Sequence, residues 1–313
     1  MKCIVDLSAE VPDTNTHYFR LKDFEDGDDG KTLFSGYNTI TKVNNVGGNR
    51  IYLNVYSPTE FCQIRDHFGL TPMEHDNGFD KVFSICPYTC EWLNKEKNTD
   101  RYIPICYPFN EKDIPIECSK KYDVIYHGGI HGKDHSDCLK LMSKFNYQYL
   151  TMTQHINYLT QQHLPYATQV NLSNTEKLNV VAKSKISICY NYVNADQNHI
   201  NAIKANSNWK NNIAFSGIES IGIIPQMKSR FMEAAFCRTI NLVKKDPWNV
   251  VEHWFEPEKD FIYFEDQLDL ESKINKILNN YDKYSSIMDS ALNKCKRYSI
   301  QSLYDRIKTE NIL

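Results

Sequence analysis

Two cations and one carboxylate, close together in the last third of the chain, are the residues best equipped for chemistry. Lys228 and Arg230 stand where a helix should begin, just after Pro225, and Glu233 follows inside the run FMEAAFC. A helix start leaves backbone N–H groups unpaired and carries the positive end of the dipole, so it favours an anion. An arginine can fork onto two phosphate oxygens. A carboxylate one turn deeper can accept the hydroxyl hydrogens of a sugar diol, and phosphate plus diol describes a nucleotide. The plain alternative is a surface Lys–Arg pair neutralised by Glu233, and the residue types alone leave both readings open.

Other groups could serve the same site. The run KYDVIYH leads straight into Gly128, Gly129 and Gly132. Glycines after a strand let backbone N–H groups approach a phosphate closely. His127, His131 and His135 recur every four residues, which on a helix would stack three imidazoles for zinc. The glycines between them indicate a loop instead, and no cysteine supplies a fourth ligand, so no metal is expected. His127 and His131 are then candidates to touch a bound phosphate, with capping or solvated roles as the alternative. Asn191 ends a later apolar strand, at the sheet edge where ligands gather. Near the N-terminus, Asp13 and His17 lie in a loop after the first strand, where either could take a proton from a hydroxyl. An ordinary solvated loop is the alternative there. The acidic run 23–30 contains D-x-D, but in a Gly-rich polar segment, and Gly30 falls where a calcium loop needs a ligand. It reads as a solvated turn.

The segment Arg230-Phe-Met-Glu233-Ala234-Ala235-Phe-Cys237-Arg238-Thr239, followed by Phe255-Glu-Pro257-Glu-Lys-Asp260-Phe-Ile-Tyr263, resembles the C-terminal half of group 1 GT-B glycosyltransferases. Arg238 stands where that family usually has glycine, and the first of its two spaced acids has no counterpart. The resemblance implies an α/β fold of two Rossmann-like domains facing across a cleft. It also implies transfer of a sugar from a nucleotide-diphosphate sugar to a hydroxyl of a glycan or small molecule, with no metal or other cofactor. In that family the matching Glu holds the donor ribose and nearby cations hold the diphosphate. Those roles pass, by resemblance, to Glu233, Lys228 and Arg230. Three rivals remain: a non-catalytic GT-B-like binding protein, a glycosyltransferase acting on modified DNA, and a sugar-nucleotide epimerase.

The whole chain agrees with such an enzyme. Its 313 residues suffice for two domains, and 41% apolar residues with 12% aromatics can fill their cores. A net charge of -3 provides no general basic field for nucleic acid. No run approaches the ~18 apolar residues of a membrane span, and the opening MKCIVDLSAE is no signal peptide, so a cytoplasmic protein is expected. Ten scattered cysteines, several inside apolar strands, read as reduced thiols.

The elements that must position these groups follow from local pattern. Residues 1–115 read as a first, acceptor-side Rossmann-like domain with a β-rich insertion, where Asn45–Gly48 forms a hairpin turn. A helix is expected over 58–69, and another over TCEWLNKEK with Thr89 as its N-cap. Residues 120–290 form the donor-binding domain: strands and helices alternate, which implies a parallel sheet covered on both faces. The Asn-rich stretch 194–220 reads as a lid or acceptor element, or as a disordered insertion. Residues 291–313 form a helix returning to the first domain.

Overall fold

The computed structural model describes residues 2–5, 30–35, 47–54, 78–111, 114–115, 119–153, 158–205 and 209–309. Asp13, His17, the helix expected over 58–69 and most of the acidic run lie outside these residues.

The first part of the chain forms a five-stranded parallel sheet in simple sequential order. Its strands are β1 (Lys2–Val5), β2 (Lys31–Ser35), β3 (Asn49–Asn54), β4 (Lys81–Ser84) and β5 (Tyr102–Pro104). β2 and β3 pair in parallel, Lys31 against Asn49 through Ser35 against Leu53. That corrects the hairpin expected at Asn45–Gly48, because a two-residue turn joins only antiparallel strands. Helix α1 (Pro87–Glu96) follows β4 and starts with Pro87 in its first turn, capped by Cys86. Proline suits that position, where its missing N–H costs nothing. Thr89 is therefore inside the helix rather than its cap.

The second part is a six-stranded parallel sheet in the order β13-β12-β9-β6-β7-β8. Strand β6 (Tyr122–His127) comes first, with helix α2 (Lys133–Met142) after it. Then come β7 (Tyr147–Thr151), α3 (Tyr158–Gln162), β8 (Gln169–Val170), α4 (Asn174–Ala182) and β9 (Ser184–Cys189). Ser173 and Glu176 close a capping box at the start of α4. A small antiparallel pair, β10 (Tyr192–Asn194) with β11 (Ile223–Pro225), brackets helices α5 (Gln197–Ala205) and α6 (Ile218–Ile221). Helix α7 (Ser229–Phe236), β12 (Ile240–Lys244) and β13 (Ile262–Phe264) complete the sheet. The strands are buried apolar runs such as VIY, ISIC and INLV, as a sheet covered on both faces requires. The chain builds outward from β6 through β7 and β8, then returns to place β9 on the other side. The switch point of this doubly wound sheet lies between β6 and β9, and ligands bind outside the carboxyl ends of strands at such a point.

The chain ends with α8 (Gln267–Leu278), α9 (Ser285–Cys295) and α10 (Ile300–Thr309). Helix α10 lies against the first sheet: Lys31 Nζ donates to the carbonyls of Ile307 and Lys308 at 2.9 and 2.7 Å, and the Ile300 N–H to Phe109 O at 2.9 Å. One buried apolar cluster runs from Val82 and Phe83 through Phe109 and Met232 to Leu303 and Ile307, so the two sheets share a core. Phe109 and Phe236 stack at 4.8 Å within it.

The Asn-rich stretch is folded at both ends of 206–208, which lie outside the described residues. Its 3₁₀ turns at Trp209–Asn211 and Ile213–Phe215 bury Trp209, Ala214 and Phe215. Asn212 is fully buried and its Nδ2 donates to Thr89 Oγ1 in α1 at 3.0 Å. Trp248 Nε1 donates to Ile213 O at 2.9 Å, and Tyr88 Oη to Trp248 O at 2.6 Å. The stretch is thus a wedge that joins α1 to the second sheet.

Candidate active site

The carboxyl ends of β6 and β9 are His127–Gly128 and Cys189–Tyr190–Asn191. The amino end of α7 meets them there. Asn191 is fully buried and holds that helix start: its Oδ1 accepts the Lys228 N–H at 3.0 Å and its O the Gln226 N–H at 2.8 Å. Lys228 is the N-cap, and its Nζ donates to Gln226 Oε1. Arg230 lies with its guanidinium 4.8 Å above the Tyr126 ring. Among the described residues no carboxylate comes within ion-pair distance of it. Gly128 has φ 120, and a Cβ there would overlap Nη2 of Arg230. Only glycine both adopts that backbone and leaves room for the arginine. The structure thereby brings together Gly128, His127, Asn191, Lys228 and Arg230.

The glycine loop is held by several hydrogen bonds of its own. The Gly128 N–H donates to Leu150 O at 2.9 Å, the Ile130 N–H to Thr160 Oγ1 at 2.8 Å, and the His131 N–H to His135 Nδ1 at 2.9 Å. Gly129 O accepts Tyr126 Oη at 2.8 Å. These bonds fix the loop from below and occupy the N–H groups of Gly128, Ile130 and His131. Positive charge at the site therefore comes from Lys228 and Arg230. Its reach shows in His131, whose pKa falls to about 4 through burial and then through those two cations. His135 is pushed well down by burial and then chiefly by Arg230. Both imidazoles are neutral, and His135 keeps a buried Nε2 with no partner among the described residues. Among those residues no group of His, Cys, Asp and Glu side chains is arranged to hold a metal, and His127 is turned to Glu233 instead of to the other histidines.

Glu233 is 1% exposed. Its Oε2 meets His127 Nε2 at 2.7 Å and its Oε1 meets Lys177 Nζ at 2.9 Å, from α4. Burial lowers the pKa of His127, against the pull of Glu233. A neutral imidazole beside a carboxylate places its hydrogen on Nε2, so Nδ1 is a bare acceptor; it is buried and unpartnered among the described residues. The carboxylate expected to receive a diol is thus already held by two donors, and only Lys177, with 18% side-chain exposure, reaches toward solvent. Sequence reasoning missed Lys177, because its partner is 56 positions away. It also missed Tyr126, the shelf on which Arg230 rests.

The model of a family described as glycosyl transferase-like matches residues 130–307, more than half of the chain, and the protein belongs to that family. No curated protein sequence matches it. Among solved structures, S. aureus TarM superposes with a TM-score of 0.55 at 10% identity, over 92% of this chain and 56% of that one. HepE of Anabaena, in complex with UDP and glucose, gives 0.55 at 11% identity over 89% and 77%. Sucrose-phosphate synthase of Thermosynechococcus elongatus gives 0.56 at 11% identity over 89% and 72%. The chain spans only 56% of the TarM length. At such identities the likeness is one of fold, and the fold is GT-B, with two Rossmann-like halves.

Proposed function

We propose that the protein transfers a sugar from a nucleoside-diphosphate sugar to a hydroxyl acceptor, without a metal. The observation that carries this reading is the pairing of Arg230 and Lys228 with the β6–β9 switch point. Two cations converge where a doubly wound sheet receives its ligand, and a glycine is shaped to admit one of them. The N–H groups of Ser229 and Arg230 at the open helix end add donors. In the reaction an acceptor oxygen attacks the anomeric carbon and loses its proton to a base. The bond from that carbon to the phosphate oxygen breaks, and the diphosphate leaves with its charge. Fixed cations stabilise that growing charge because they need no reorganisation. Asp13 and His17 remain the proposed bases. The ribose is received through the Lys177–Glu233 pair: the partly exposed ammonium donates to a hydroxyl oxygen, and the buried carboxylate holds the ammonium in place.

Structures of HepE and of S. aureus TarM with UDP make UDP the first donor base to try. No helix among the described residues is long and apolar enough to cross a membrane, and a cytoplasmic site of action with a glycan or small-molecule acceptor is part of the proposal. The test is a thermal-shift panel of UDP, GDP, ADP, CDP and TDP with their sugars. Binding to the native state raises the melting point by mass action. One nucleotide should shift the wild type and leave Arg230→Ala unmoved. No shift with any member, or an equal shift in Arg230→Ala, refutes the reading.

A further inference from the structure

The turn after β12 holds two buried acceptors without a hydrogen-bond partner among the described residues. Asp246 is 4% exposed; its Oδ1 accepts the Trp248 N–H at 3.0 Å, while Oδ2 is buried and has no partner among the described residues. Asn249, in the same turn, is held at φ 53, and its side-chain Oδ1 is likewise buried and unsatisfied. A buried acceptor without a donor destabilises the fold, and a left-handed backbone at a non-glycine residue adds strain. Such defects persist where function requires them.

The surroundings say what would satisfy them. The ionisable groups facing Asp246 are Tyr88 from α1, Tyr192 from β10, Glu252 beyond the turn and Tyr263 from β13. None of these is a cation. Tyr88 Oη is committed to Trp248 O at 2.6 Å, and Tyr263 Oη to Glu252 Oε1 at 3.0 Å. The neutral donors beside Asp246 are the backbone amides of Trp248, Asn249 and Val250, and Oδ2 is still left without a hydrogen bond among the described residues. The register Val243 against Cys189 sets β12 beside β9. Asp246 and Asn191 therefore leave the same sheet edge on adjacent strands. A group lying beyond the diphosphate at that edge is the sugar.

We propose that Asp246, with Asn249 beside it, accepts hydrogen bonds from hydroxyls of the transferred sugar and so selects which sugar is carried. The inference rests on the donor reading above. Burial, then the charge of Glu252 against three backbone amides, brings the Asp246 carboxyl up to about 6. It is an ionised acceptor at neutral pH and loses that character below 6.

The experiment uses the full chain, with Asp246→Asn as the near-isosteric variant and Asp246→Ala as the second. Melting points and affinities are measured with each nucleoside diphosphate of the panel and with its sugars, between pH 5.5 and 8. In the wild type one nucleotide sugar should bind more tightly than its nucleotide alone, and that increment should fade below pH 6. Asp246→Asn should keep the affinity for the nucleotide and lose the increment, about ten- to a hundredfold in affinity. Its unliganded form should melt no lower than wild type, since a buried unsatisfied charge has gone. An intact increment in both variants overturns the proposal while leaving the donor reading in place. Equal loss of nucleotide and nucleotide sugar overturns it too, and so does a change confined to the KM of the acceptor. No response of the wild type to any nucleotide sinks the donor reading itself.

Discussion

The Lys177–Glu233–His127 arrangement makes one demand that can be worked through. Glu233 is buried, and its two oxygens receive donors from two different elements. Glu233→Gln leaves a side chain with one acceptor and one NH2 group facing two donors. Either Lys177 loses its counterion against an amide, or His127 must move its hydrogen to Nδ1. Breaking a buried pair from one side costs about 3–5 kcal/mol, and the retained amide oxygen should keep Glu233→Gln near the lower end. Lys177→Met strands the carboxylate with His127 alone and should cost a similar amount. The double variant has no stranded charge, so it should lie about 2 kcal/mol above the sum of the singles. The assay is urea unfolding of all four proteins, compared at constant m. Additivity within ~0.5 kcal/mol would refute the idea that the two form one unit. The same proteins test the ribose role. A nucleotide at 100 times its Kd stabilises the wild type by about 2.7 kcal/mol. If the pair only braces α4 against α7, that increment survives in the double variant; if the pair also holds the diol, it shrinks sharply.

Four other outcomes follow from particular contacts. Gly128→Ala should lower nucleotide affinity at least about tenfold, because a Cβ displaces Arg230 and φ 120 is strained for alanine; calorimetry showing unchanged affinity removes the arginine from the phosphate. Asp260→Ala should cost about 3–5 kcal/mol in urea unfolding, since its carboxylate accepts Glu256 N, Lys294 Nζ and Ser290 Oγ at 2.8, 2.8 and 2.6 Å; a loss under ~1 kcal/mol contradicts that anchoring. Arg238→Gly should stabilise by about 0.5–1 kcal/mol and keep the nucleotide shift, because Arg238 sits at φ 51 with only an exposed ion pair to Asp289 in compensation; a lost shift would give that departure from the family a function. His131 takes up its proton only near pH 4 when folded but near 6.5 when unfolded, so the unfolded state binds more protons in that window and stability falls as pH drops through it. Asp246 acts in the opposite sense, and His131→Asn should remove about 2 kcal/mol of the loss between pH 7 and 5; an unchanged pH slope refutes the shift.

What could be read in advance divides along physical lines. The second sheet was legible because its central strands carry apolar runs such as VIY, ISIC and INLV, alternating with helical segments, one of which opens with the capping box of Ser173 and Glu176. The cations of the site were legible because Lys228 and Arg230 sit in one local motif with Glu233. The first sheet was misread at Asn45–Gly48, where β-rich residues flank a glycine turn signal. Only the tertiary pairing of β3 beside β2 decides that the strands run the same way, and turn chemistry contains no term for it. Thr89 was misread as a cap because proline two residues earlier starts the helix first. Lys177 and Asp246 carry no local signal at all: what makes them unusual is a partner 56 residues away for one and a missing partner for the other.

The glycine loop shows that one pattern can serve a second mechanical purpose. A strand running into glycines suggests backbone N–H groups aimed at a phosphate. Here the N–H groups of Gly128, Ile130 and His131 are bound to Leu150, Thr160 and His135. A loop fixed by its own amides is rigid, and rigidity is what an arginine stacked on Tyr126 needs beneath it. The glycine earns its place by the volume it leaves empty. On the proposed reading the anion depends on side-chain charge held by a stiff frame, with Asn191 fixing the helix start on one side and the loop fixing Arg230 on the other. The histidines around the site are held neutral first by burial and then by the same two cations, so no further positive charge crowds the cations at neutral pH.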